Sequence, residues 1–175
     1  MNRCIEWLKR HKRQVAASIF WAATVALMIF IFCMSAKNAT QSGEISGNVI
    51  KKVAPIIKKD FHQLDPAGQK NFIESLQDIV RSFAHFFEFT LLGITGCCAF
   101  RFTLNCRKRG AFWAVVMGWG YALTDEIHQI FVPGRTFQFK DIIVDWLGVL
   151  LGTALAFAVF LIIKRIVKKK NNKTL

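Results

Sequence analysis

Four apolar stretches, residues 15–34, 84–102, 111–132 and 142–163, decide what this chain can become. Each comes close to the roughly 20 residues an α-helix needs to cross a hydrocarbon core about 30 Å thick. Backbone inside lipid must satisfy its own polar groups, so stretches of this length are helices. The expectation is an all-α integral membrane protein with four transmembrane helices, a single domain over residues 1–175. A chain that is 53% hydrophobic and only 20% charged is too apolar for an ordinary soluble domain. Arg3, Lys9, Arg10, Lys12 and Arg13 precede the first stretch, as they would in a secretory signal. Its apolar run is too long for a signal core, however, and Met34-Ser35-Ala36 is a poor cleavage site, so the helix is expected to be retained.

The net charge of +13 does not point to nucleic acid, because the basic residues sit in short runs beside apolar stretches and no recognition motif accompanies them. They set orientation instead. With both termini cytoplasmic, the N-terminal run, the turn from Arg101 to Arg109 and the basic tail 164–175 all lie inside. The loop 35–83, whose lysines are diluted by acids, then lies outside. Cys4, Cys33, Cys97, Cys98 and Cys106 fall within spans or on the cytoplasmic side, so no disulfide framework is expected.

The outer loop carries two helical patterns. Ile45, Val49, Val53, Ile56 and Ile57 share one face flanked by Lys51, Lys52, Lys58 and Lys59, the mark of an amphipathic helix able to lie on a membrane surface. Asp65-Pro66 reads as an N-cap followed by proline at the first helical position. The helix it starts is expected to run unbroken into the second span.

Ionisable groups inside a bilayer cost about 2.5 to 3.5 kcal/mol each at the midplane, so their pattern is informative. The i, i+4, i+7 spacing aligns Arg81, His85 and Glu88 at the start of the second span, then Tyr121, Asp125 and His128 in the third, with Glu126 and Gln129 on a neighbouring face. In the fourth it aligns Asp141, Asp145, Gly148 and Gly152. All three stripes fall in the outer third of the bilayer. Facing lipid, five carboxylates would cost on the order of 5 to 10 kcal/mol, comparable to a domain's whole stability, so the stripes are expected to face one another. Arg135, in the turn after the third span, stands at their mouth as an anion clamp. The Gly148-x-x-x-Gly152 spacing admits a close helix neighbour.

Two readings of the stripes stay open. One is a closed network of Arg81, Arg135 and Lys140 against the acids; the other, favoured by the number of polar groups, is a water-accessible outward pocket. Such a pocket offers His85, Glu88, Asp125 and His128 as ligands to a divalent cation, or Asp125, Glu126 and His128 as acid and base catalysts. Transport is the weaker expectation, since no inverted repeat accompanies the four helices.

The run YALTDEIHQIFVPGR at residues 121–135, followed by Asp141 and by Asp145-Trp146-Leu147-Gly148, resembles the signature of the VanZ-like family. So do the segment from Val80 to Phe89 and Ser35, Ser42 and Ser46 after the first span, although Phe89 stands where the family more often has tyrosine. The resemblance implies a cell-membrane protein of a Gram-positive-type bacterium, in a family whose founding member is associated with low-level resistance to teicoplanin. It supplies no established reaction. Membrane lipids, a lipid-linked envelope precursor or the acylated antibiotic itself are the implied partners. The expected activity is binding or remodelling of a lipid-linked head group, with an intramembrane hydrolase or transferase, metal-dependent or not, as the alternative.

Overall fold

The computed structural model describes residues 2–172, without the side chains of residues 2–5 and 9. Arg3, Cys4 and Lys9 of the sequence reading, as side chains, and Lys173 therefore lie outside the described residues. Five α-helices account for almost all of the described chain: α1 (Asn2–Ser35), α2 (Ala39–Ile57), α3 (Pro66–Leu104), α4 (Arg107–Ile130) and α5 (Phe139–Asn171). A single 3-10 turn, Phe61–Gln63, links α2 to α3. Among the described residues three helices are long and apolar enough to cross a membrane, namely Glu6–Ser35 of α1, all of α3 and all of α5. α4 falls short of that standard because basic residues open it and the polar run from Thr124 to Gln129 closes it. The basic tail expected from residue 164 continues α5 as helix to Asn171, its lysines lying where they complement the C-terminal end of the helix dipole.

Local chemistry sets the helix ends. Asn38 caps α2 reciprocally with Gln41: its side chain accepts from the Gln41 backbone N–H at 2.9 Å, and the Gln41 side chain accepts from the Asn38 N–H at 3.3 Å. Asp65 accepts from the Gly68 N–H at 3.1 Å and Pro66 opens the first turn, so α3 starts where the sequence places it. At 39 residues α3 is about 58 Å long, far more than a bilayer core, and its first half precedes the apolar stretch 84–102. That half packs α2 through Ile50, Ala54, Phe61 and Ile73. The apolar stripe read from sequence turns away from this contact: Ile56 is 79% exposed and Ile57 62%.

α3 and α5 form the spine, helped by small residues. A Cβ built on Gly152 would fall 2.0 Å from the Thr90 carbonyl oxygen, one on Gly148 would fall 2.5 Å from that of Phe86, and one on Gly93 would fall 2.5 Å from that of Val149. Backbone therefore lies against backbone, and the neighbour anticipated for Gly148 and Gly152 is α3. Phe89, Leu92 and Val149 fill the space beside this seam together with Ile31 and Ala122. α4 lies across both helices, with Gly118 against the Val149 side chain.

Gly152→Ala is expected to destabilise the protein by about 1 to 3 kcal/mol, as overpacked sites do, whereas Gly120→Ala, whose added Cβ meets nothing within 4 Å inside α4, should hold or slightly raise the unfolding temperature in detergent. Cys97 and Cys98 are buried, while Cys106 lies in the turn between α3 and α4. The Arg109 backbone N–H and neighbouring cations hold the Cys106 thiol below its usual pKa. The thiolate is the reactive form, so alkylation of Cys106 should rise with pH around a midpoint below that of an ordinary thiol, and Cys97 and Cys98 should stay unlabelled until unfolding, as mass spectrometry of the alkylated protein would read.

Candidate functional site

The polar site forms where α1 ends, α4 ends, α5 begins and α3 passes alongside. His85 on α3 and Asp145 on α5 meet one turn above the Gly148 contact, with Nδ1 and Oδ1 3.5 Å apart and both side chains buried. Asp125 on α4 joins them, and the three residues each present one ligand-type atom within 4.8 Å of the others. The carboxylate of Asp125 is oriented by two donors to a single oxygen, Oδ2: the Ser35 hydroxyl at 2.8 Å and the Gln129 side-chain amide at 3.1 Å. Its other oxygen, Oδ1, is buried without a hydrogen-bond partner, as are His85 Nδ1 and Asp145 Oδ1.

Gln129 passes this order outward. Its carbonyl oxygen accepts from Arg135 Nη1 at 2.9 Å, and Arg135 Nε donates to the Lys37 carbonyl at 3.1 Å. Arg135 is placed by the turn it closes: its N–H donates to the Val132 carbonyl at 3.1 Å, with Pro133 and then Gly134 (φ +77°) between them, a type II turn that needs glycine at the third position. The same turn touches the start of α2, where the Ala39 N–H donates to the Pro133 carbonyl. Arg135 thus ties the α4–α5 turn to the α1–α2 connection.

Beneath α2 lies a chamber of about 100 Å³, walled by Lys37, Ser42, Arg81, His85, Glu88 and Arg135 among apolar side chains including Ile45 and Val49. Three cations face one carboxylate there. Among the described residues Arg81 pairs only with Asp78, an exposed acid 3.7 Å away, and its Nε is buried without a hydrogen-bond partner. Burial, and after it the nearby Arg81 guanidinium, lower the Arg135 pKa from its ordinary value, as expected where two cations share a wall.

The remaining predicted residues fall into different places. Glu126 turns to the start of α5, where its carboxylate accepts from the Gln138 N–H, so it anchors the α4–α5 turn. Tyr121 donates its hydroxyl to the Met28 carbonyl and so bridges α4 to α1. His128 stacks on Phe32, with ring centroids 4.4 Å apart, and stands outside the group formed by His85, Asp125 and Asp145. Asp141 lies in the first turn of α5, half-buried, where the helix dipole favours its charge. The salt-bridge network does not form as read: Lys140 is exposed, and no ion pair joins it or Arg135 to these acids among the described residues. Ser46, buried in α2, spends its hydroxyl on the Ser42 and Gly43 carbonyls. Sequence reasoning missed Lys37 as part of the wall; its place directly after the first span was the available signal.

Removing either Arg135 or Gln129 should cost stability, and the two should couple: the Arg135→Ala, Gln129→Ala double-mutant cycle, read by unfolding in detergent, is expected to give an interaction of about 1 kcal/mol or more.

The VanZ/LLP1 family matches residues 20–163, which takes in every residue of this site. Neither a curated protein nor a solved structure gives a significant match.

Proposed function

The chain belongs to the VanZ/LLP1 family, and from that premise we propose that it is a multi-pass cell-envelope protein whose chamber engages the anionic head group of a lipid-linked or lipidated molecule at the outer leaflet. The family link is to teicoplanin resistance, and teicoplanin carries an acyl chain able to seat in a membrane. In this reading α4 is the fourth span: Phe112, Val116, Trp119, Leu123, Ile127 and Ile130 give it an exposed apolar face suited to lipid. Both termini lie on the cytoplasmic side, residues 1–175 form one unit, and α2 lies in the outer interface with Ile56 and Ile57 toward lipid.

The observation that carries the proposal is the charge of the chamber wall, with Lys37, Arg81 and Arg135 against Glu88 alone. Guanidinium groups recognise phosphate and carboxylate by paired donors, and the apolar half of the wall suits the first carbons of an acyl or prenyl tail. At about 100 Å³ the chamber is small for a lipid head group, whose entry would be eased as α2 moves outward. The contact of α2 with the α4–α5 turn, through Ala39 and Pro133, is the latch such a motion would open.

A second reading, a hydrolase or transferase acting on the same head groups, is favoured by one observation: His85 belongs both to the chamber wall and to the buried group with Asp125 and Asp145. The two readings separate on the cell envelope, since an enzyme alters lipid or precursor composition when overexpressed and a binding protein does not.

Arg81→Gln and Arg135→Gln are each expected to weaken binding of an anionic phospholipid, read against a zwitterionic one in nanodiscs, by about tenfold, equivalent to about 1.4 kcal/mol. Both should also remove any protection from teicoplanin conferred on a susceptible host. Wild-type affinity and unchanged susceptibility in folded variants would defeat the proposal.

A further inference from the structure

We propose that His85, Asp125 and Asp145 form a binding site for one divalent transition-metal ion, Zn²⁺ or Mn²⁺. The three come from three different helices, and each places a ligand-type atom within 4.8 Å of the others. Each is at least nine-tenths buried, and His85 Nδ1, Asp125 Oδ1 and Asp145 Oδ1 have no hydrogen-bond partner. Buried polar atoms are nearly always satisfied, and three orphans in one cluster mark a place where something else completes the set. A proton shared between His85 and Asp145 would still leave Asp125 Oδ1 without a partner. His85 and Asp145 stand 3.5 Å apart, beyond a good hydrogen bond, and Asp125 is turned by its own donors so that one oxygen is left over.

Charge argues the same way. Two carboxylates held inside a helical bundle need compensation, and a single imidazole cannot neutralise both. Arg81 and Arg135 are close by in the chamber but form no ion pair with either acid. A dication meets the need.

The surroundings have the form of a supporting shell around a metal site. Ligating carboxylates are themselves hydrogen-bonded, and here Ser35 and Gln129 hold Asp125 while Arg135 holds Gln129. One imidazole with two carboxylates suits Zn²⁺ or Mn²⁺ better than Ca²⁺, which takes six to eight oxygens. Three protein ligands leave a coordination position open, and because His85 also lines the chamber a water or a ligand oxygen can fill it from that side. Of the residues read as metal candidates, this site keeps His85 and Asp125, adds Asp145, and leaves out Glu88 and His128.

The site goes beyond the head-group reading and is tested without any lipid ligand. Full-length protein in detergent is stripped with a chelator, dialysed and titrated calorimetrically with Zn²⁺ and, separately, Mn²⁺. The expected result is one ion per chain for at least one of the two metals. Asp145→Asn and His85→Gln should bind at least tenfold more weakly. Ser35→Ala should keep the site but lose about 10- to 100-fold in affinity, the usual effect of removing a supporting group. Glu44→Gln, on the exposed side of α2, should bind as wild type. No saturable binding of either metal to the wild-type chain overturns the proposal, as does unchanged affinity in folded Asp145→Asn and His85→Gln. Should those variants not fold, X-ray absorption of the loaded wild type decides: nitrogen and oxygen neighbours alone support the site, and a sulfur neighbour, which would place the ion at a cysteine, overturns it. Loss of lipid preference in Arg135→Gln with metal binding intact would separate failure of one reading from failure of the other.

Discussion

The close approach of α3 and α5 governs the rest of the structure. Gly93, Gly148 and Gly152 let the two backbones touch, so the helices gain dispersion contacts along their length without a layer of side chains between them. His85 and Asp145 flank the outer end of this seam. Had the helices stood apart by one more side chain, that pair would not meet, and Asp145 would sit as an isolated charge in the bundle. The same seam forms the floor on which α4 rests, through Gly118 against Val149, and so brings Asp125 to the pair.

From this seam the order of the site spreads outward by hydrogen bonds. Ser35 at the end of α1 and Gln129 on α4 fix Asp125, and Arg135 fixes Gln129 while reaching the Lys37 carbonyl at the start of the outer loop. Asp125 is thereby connected, through the Gln129 and Arg135 side chains, to the turn that borders α2. An event in the chamber that moves Arg135 acts on Gln129 directly and on Asp125 at one remove. α2 is suited to be the mobile part, since it packs mainly on α3, meets the α4–α5 turn at its start, and carries Pro55 in its last turn ahead of an extended Lys58.

How much of this could be read from the residues differs by element. Asp65-Pro66 announced the start of α3 because an N-cap and a proline at the first position act locally, whatever surrounds them. From the three polar stripes the meeting of His85, Asp125 and Asp145 was legible, because burying charge in an apolar bundle is costly enough to bring such groups together. The face of α4 that turns inward was not. Asp125 and Glu126 are about 100° apart on a helix, and periodicity alone could not say that both would be buried, one in the cluster and the other on the Gln138 N–H. His128 shares the stripe of Asp125 by spacing, yet the packing of α1 against it offers Phe32 as a neighbour instead of the site. The amphipathic stripe of α2 was visible as a stripe, but its buried side, Ser46, Gly47, Ile50 and Ala54, is a neighbouring one, about 100° round the helix.

The sequence by itself determined the helical class, the long unbroken α3 and the helical alignment of the ionisable groups, because hydropathy, capping and helical period are local properties summed over short windows; it placed the start of α1 and the end of α5 too far inward. Tertiary structure alone decided the pairings: Ser35 with Asp125, Arg135 with Gln129, and His85 with Asp145 across the glycine seam. Those depend on helix spacing and rotation, which are set by where small residues on two distant helices coincide, and a shift of one residue in that register would exchange every partner.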